Sequence, residues 1–235
     1  MIIIELIGIP GCGKTTTLNK AFEYRGEKKS ILFLNEGFSF QAMLILKAII
    51  GFVKHRKQVI CFYKKWRNVV KCVDHVIWSI RYKIAFFELL QFIYFYDLIK
   101  KSERKYEVAI SDQWVLQHTF SLFHDQPIPD NAIKQIVSLI EEIYNAFDGF
   151  YYVIMCSCES QRVIQQLRRR TDGRSVIDGL NKKDLENIVS IQQDNLSKVY
   201  SLIGENKKTN ILFDGKLEYK AKEMNNIINE IYEKR

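Results

Sequence analysis

The chain has 235 residues, 47% of them hydrophobic, with only 3 prolines and 11 glycines, which is the composition of a packed globular protein rather than a disordered one. Its five cysteines (Cys12, Cys61, Cys72, Cys156 and Cys158) form no C-x-x-C pair and its four histidines no H-E-x-x-H, so neither a disulfide framework nor a zinc site is expected. The net charge of +8 is unevenly placed, with seven Lys/Arg and no Asp/Glu between Lys54 and Lys71, a bias that suits phosphorylated small molecules or an anionic membrane surface as well as nucleic acid.

The first element is the apolar run Ile2 to Ile7, which reads as a buried strand. It carries Glu5 and leads directly into Gly8-Ile9-Pro10-Gly11-Cys12-Gly13-Lys14-Thr15. This segment fits the phosphate-binding pattern G-x-x-x-x-G-K-[ST], and Thr15 to Tyr24 reads as a helix, completing the strand–loop–helix context the motif requires. Glycines let successive backbone N–H groups approach a polyphosphate, and the helix N-terminus adds partial positive charge. Lys14 is expected to bridge the outer phosphates and the Thr15 hydroxyl to ligate magnesium. Pro10, Gly11, Cys12, Gly13 and Thr16 complete the expected cradle. An apolar start that runs straight into this loop does not read as a signal peptide.

A short strand is expected at Ile31 to Asn35, followed by a long helical region over roughly 39–105. There Val73, Val76, Ile77, Ile80, Ile84 and Phe87 recur at helical spacing. Two stretches of this region, Met43 to Val53 and Ile84 to Tyr96, are markedly apolar. Both fall short of the roughly 20 residues a membrane span needs, which favours a cytoplasmic protein. Glu107 to Ser111 reads as the third strand, followed by helices at 113–123 and 130–147 around the Pro127/Pro129 turn. Phe150 to Met155 is a fourth strand, Glu159 to Arg170 and Lys182 to Ile203 are helices, Asn210 to Phe213 is a fifth strand, and Glu218 to Lys234 a closing helix. Such alternation implies a parallel sheet covered on both faces, with ligands beyond the carboxyl ends of its strands. The whole of 1–235 reads as one domain bearing a helical insert.

Other residues at those strand ends carry chemistry. Asp112 closes the third strand, either holding magnesium opposite Thr15 or capping the following helix. Glu36, beside Gly37, is either a base for an acceptor hydroxyl or a solvated loop glutamate. Arg168, Arg169, Arg170 and Arg174 surround the Asp172-Gly173 turn. Four arginines in seven residues exceed what complementing a helix dipole needs and suit a lid that closes over a transferring phosphoryl group. Asn181-Lys182-Lys183-Asp184 matches N-K-x-D, yet no strand precedes it and no D-x-x-G follows the third strand. Asn181 is better read as a helix cap. An ABC-type ATPase is excluded by the missing L-S-G-G-Q. Phe62 to Arg67 interleaves aromatics with bases: it reads first as an amphipathic helix with a basic face, although such a surface also stacks bases or lies on a membrane.

In order, these motifs resemble the thymidylate kinase and deoxynucleoside kinase group of P-loop kinases, along nearly the whole chain and most faintly over 40–80. The resemblance implies a three-layer α/β sandwich with a five-stranded parallel sheet, ATP and Mg2+ as donor and cofactor, and a small-molecule acceptor. Nucleic acid is not an expected partner. Many members of the group are dimers, so a homodimer is an expectation. Asn35-Glu36-Gly37 sits at the group's strand-end glutamate, Glu88 to Phe92 at its acceptor-pocket helix, and Ser111-Asp112-Gln113-Trp114 at its Asp-Arg-Tyr element. Glu159 to Arg174 resembles the approach to an arginine-bearing lid, here about 168–180, and Asp214-Gly215-Lys216 the loop near the adenine.

Two departures matter. Gln113 stands where the group has arginine, and Phe95-Tyr96 where Asp-Arg is expected, which argues against a thymidylate acceptor and leaves nucleosides, other nucleotides or sugar-like hydroxyl compounds. Gln91 resembles a base-reading glutamine. The acceptor is therefore expected near Phe38, Trp66, Gln91, Gln113 and Trp114. The alternatives are a nucleotide-dependent switch that docks partners through the insert, or a kinase of a lipid-linked or surface-glycan precursor whose basic aromatic helix touches the membrane.

Overall fold

The computed structural model describes residues 1–24, 31–34, 41–73, 78–112, 114–169 and 180–233. The central strand β1 (Ile2–Ile7) is buried at every position, as expected of a strand covered on both faces. It pairs in parallel with β3 (Val108–Ser111), in the register Ile2 to Val108, and with β4 (Tyr151–Ser157), in the register Ile3 to Tyr151. The short β2 (Ile31–Phe33) and the more exposed β5 (Lys208–Leu212) form the edges, giving the order β2-β3-β1-β4-β5. All pairings are parallel.

Helix α1 (Lys14–Tyr24) joins β1 to β2. Right-handed crossovers place it on the opposite face from the connections that run back through β3, β4 and β5. The closing helix α9 (Leu217–Glu233) packs on α1, which completes a helix layer on that face. Three layers result, as the alternation of elements implied.

The insert between β2 and β3 consists of α2 (Gln41–Lys54), α3 (Arg56–Lys71) and α4 (Trp78–Ser102). α2 packs on α4, and α3 packs on α6 (Asp130–Ala146). Helix α3 buries Val59, Phe62, Trp66 and Val69, an apolar stripe at helical spacing. Phe62 stacks on Phe92 of α4 with centroids 3.5 Å apart. Phe92 in turn lies 6.0 Å from Trp114, which lies 5.5 Å from Phe147 and 6.2 Å from Tyr151 of β4. This column of rings carries the contact from insert to sheet; such pairs add about 0.5–1.5 kcal/mol each beyond their area.

The remaining helices are α5 (Val115–Ser121), α7 (Ser160–Arg169) and α8 (Lys182–Ser201). Asn181 caps α8, its side chain accepting from the Asp184 N–H, so the N-K-x-D match is structural. Among the described residues no helix is long and apolar enough to cross a membrane.

Candidate nucleotide site

β1 and β3 end side by side, and their carboxyl ends carry the two halves of the site. The loop after β1 turns through Gly11 at φ 91° and Gly13 at φ 99°, conformations that only glycine adopts cheaply. A Cβ at Gly13 would meet nothing within 4 Å, whereas one at Gly8 would lie 2.6 Å from the Cys156 carbonyl oxygen of β4. Gly8 thus lets the loop seat against the neighbouring strand, and Gly13 leaves the inside of the turn open. Lys14 is 6% exposed, and its ammonium donates to the Gly8 carbonyl at 2.7 Å and the Ile9 carbonyl at 3.4 Å. The loop's own backbone fixes the cation beside the helix N-terminus.

Thr15 Oγ1 donates to Asp112 Oδ2. The two residues expected to share magnesium are therefore in contact, although 97 positions apart. Asp112 is 1% exposed, and its other oxygen, Oδ1, is buried with no hydrogen-bond partner among the described residues. A buried, unpaired carboxylate oxygen is costly; together with an adjacent threonine hydroxyl it forms a hard oxygen donor set that suits magnesium.

A polar network under the loop carried no recognised motif. Gln117 of α5 accepts from the Gly8 N–H through Oε1 at 2.9 Å, and its own N–H donates to Glu5 Oε1 at 2.8 Å. The Tyr151 hydroxyl donates to Glu5 Oε2. Glu5 is fully buried in the central strand, and desolvation raises its pKa against the opposing pull of these donors. Burial, and then the same carboxyl, hold the Tyr151 hydroxyl far above its usual range. A glutamate amid Ile2–Ile7 was the one available signal; Gln117 had none.

On the far side of the loop, Arg162 of α7 donates through Nη1 to the Phe213 carbonyl at 2.8 Å and stands 3.9 Å from Asp214. It anchors the segment Asp214, Gly215 and Lys216 expected near a nucleotide base, all three exposed. Lys220 is 5% exposed, and its pKa is lowered by burial and then by the Arg162 charge. Arg162 and Lys220 are additions that the arginine cluster further along the chain had obscured. Arg168 lies exposed in the last turn of α7.

The expected acceptor residues divide. Gln91 of α4 is 5% exposed. On the same helix Glu88 accepts from or pairs with His118 Nδ1 at 2.6 Å. Trp66 and Trp114, expected to border the acceptor, are 2% and 1% exposed and belong to the aromatic column instead. The stretch from Phe62 to Arg67 is the amphipathic helix of its first reading, with Phe62 and Trp66 on the buried face of α3 and Lys64 and Arg67 exposed. Glu36, Phe38, Gln113, Arg170 and Arg174 lie outside the described residues, as does most of the lid expected at 168–180.

A parallel five-stranded sheet in the order β2-β3-β1-β4-β5, covered by helices and with a phosphate-type loop at the end of its central strand, defines a three-layer α/β fold. No family model matches the chain, and no curated protein matches it. Solved structures do match. One is shikimate kinase from Bacteroides thetaiotaomicron, with TM-score 0.47 and 12% identity over 97% of this chain and 98% of that one. Another is deoxyadenosine kinase from M. mycoides with bound dATP, with TM-score 0.47 and 14% identity over 97% of this chain and 100% of that one. The deoxyadenosine kinase with bound dCTP gives TM-score 0.46 and 14% identity at the same coverage.

Proposed function

We propose that the chain is an ATP- and magnesium-dependent phosphotransferase acting on a small hydroxyl-bearing acceptor. The observation that carries this reading is the meeting of Thr15 and Asp112 beside Lys14, with one Asp112 oxygen buried and unpaired. Loop N–H groups and Lys14 hold the donor phosphates, and Thr15 and Asp112 hold magnesium. Magnesium bound there neutralises charge on the phosphate oxygens. Asp214, Gly215 and Lys216, fixed by Arg162, border the base of the donor. Arg168, with Arg170 and Arg174, supplies positive charge to the transferring group. Glu36 or Asp112 orients the acceptor hydroxyl, and the Gln91 amide of α4, 5% exposed, faces acceptor polar groups. Phe38 and Gln113 complete the proposed acceptor side.

A nucleotide-dependent switch shares the donor half of this site and differs in what receives the phosphoryl group. A screen over nucleosides, nucleoside monophosphates and sugars, run with wild type and Lys14→Ala, tests the assignment. Wild type is expected to label one acceptor class, and Lys14→Ala to label none while keeping its fold. Equal turnover in Lys14→Ala would sink the proposal.

A further inference from the structure

Helix α2 breaks the usual rule of burial. Ala48 and Gly51 are its buried residues among those whose side chains are described. A Cβ at Gly51 would lie 3.0 Å from the Ile93 side chain and 3.1 Å from its carbonyl oxygen, so the helix is held to α4 along a thin, close strip. Directly opposite that strip run Leu46, Ile49, Ile50 and Val53, at 59%, 55%, 43% and 73% exposure. Their i, i+3, i+4, i+7 spacing makes one continuous stripe, widened by Ile45 and Phe52 at 42% and 39%. A helix apolar on both faces is one that something else covers, and a patch of several hundred Å² marks an interaction surface.

Charge identifies what covers it. Lys54, Arg56 and Lys57 follow the stripe directly and are all exposed. His55 bonds Asp97 at 3.2 Å, tying this turn to the end of α4, where Lys101 also pairs with Asp97. Asp97 is 4% exposed and already engaged, so it offers no acid to a partner. Residues 37–73 hold eight Lys/Arg and no Asp/Glu. A second copy seated on the stripe through this hairpin would meet cations with cations and supply no carboxylate to either. An apolar stripe with cations beside it and no acids matches a lipid interface with anionic headgroups, where the stripe enters the acyl boundary and the lysines and arginine meet phosphates.

We propose that α2 and the first turn of α3 dock this protein on an anionic phospholipid surface. The proposal stands apart from the phosphotransfer reading, because binding is read without nucleotide. The test is flotation of the full chain with vesicles of phosphatidylcholine alone, or of equal parts phosphatidylcholine and phosphatidylglycerol. Wild type is expected to float with the mixed vesicles and remain below the neutral ones. Leu46→Gln/Val53→Gln, at positions too exposed to disturb the fold, should lower partitioning by at least about tenfold. Lys54→Gln/Arg56→Gln/Lys57→Gln should lower it by about a hundredfold. Circular dichroism and retained thermal unfolding verify that both variants are folded. Wild type that stays below both vesicle types overturns the proposal. So does flotation that survives loss of the stripe, and so does sedimentation equilibrium showing a dimer that Leu46→Gln/Val53→Gln converts to monomer, since the stripe would then be a self-association face.

Discussion

Replacing Gly8 by alanine tests how the nucleotide loop is seated. The new Cβ would lie 2.6 Å from the Cys156 carbonyl oxygen, 3.1 Å from Cys12 Sγ and 3.2 Å from Cys156 Cβ. Carbon–oxygen contacts settle at about 3.3–3.6 Å, so loop and strand must separate by roughly 0.8 Å. The obstacle is backbone near the carboxyl end of β4, held in the sheet by its pairing with β5, which cannot rotate away as a side-chain tip would. Overpacking of this kind costs about 1–3 kcal/mol. The displacement also carries Lys14 and Thr15, which ride on the same loop, and a misplacement near 1 Å costs on the order of a hundredfold in rate.

Gly13→Ala is the control. Its Cβ meets open space, so its penalty is the backbone strain of a side chain at φ 99°, about 1–3 kcal/mol, with no push against β4. Urea unfolding reads the stability of both variants, and nucleotide titration reads the loop. Gly8→Ala is expected to lose stability and to weaken nucleotide binding together. Stability within about 0.5 kcal/mol of wild type, the range of an uneventful surface change, with unchanged nucleotide affinity would refute the packing argument.

Two further predictions concern the network beneath the loop. Gln117→Leu leaves the buried Gly8 N–H without its acceptor, so stability should fall by about 1–3 kcal/mol, read by urea unfolding; a change under about 0.5 kcal/mol would show that another group takes over. Glu5 has a raised pKa, so the folded state keeps its proton to higher pH than the unfolded chain. Its contribution is therefore full below the unfolded carboxylate value of about 4.3 and is lost as pH rises through the folded value. Glu5→Gln should lose less stability than wild type between pH 4 and 8 by thermal unfolding, and parallel curves would contradict the assignment.

The glycine-rich loop after β1 and its neighbour Asp112 were legible because their signals are local. Gly8 to Thr15 is contiguous, and each strand-end residue follows an apolar run whose period marks it. The sheet followed for the same reason: β1, β3 and β4 are short runs bounded by turns. Trp66 and Trp114 were expected beside the acceptor, and both are buried in the aromatic column; only tertiary packing, here α3 against α6 and Phe62 against Phe92, decides where such a ring sits. Gln117 escaped because a glutamine in a short helix carries no pattern, and its role depends on Gly8, 109 positions away. The exposed stripe of α2 was hidden by its own composition. An apolar helix reads as core from sequence, and burial alone shows that Leu46 and Val53 face outward.

Phosphorus NMR of the wild-type chain with ATP, magnesium and a pool of nucleosides, nucleotides and sugars measures the central claim directly. Phosphoryl transfer predicts that the γ-phosphoryl signal is replaced by a phosphoester resonance on one acceptor class, in step with formation of ADP. Release of inorganic phosphate alone, at a rate indifferent to every acceptor, would contradict it.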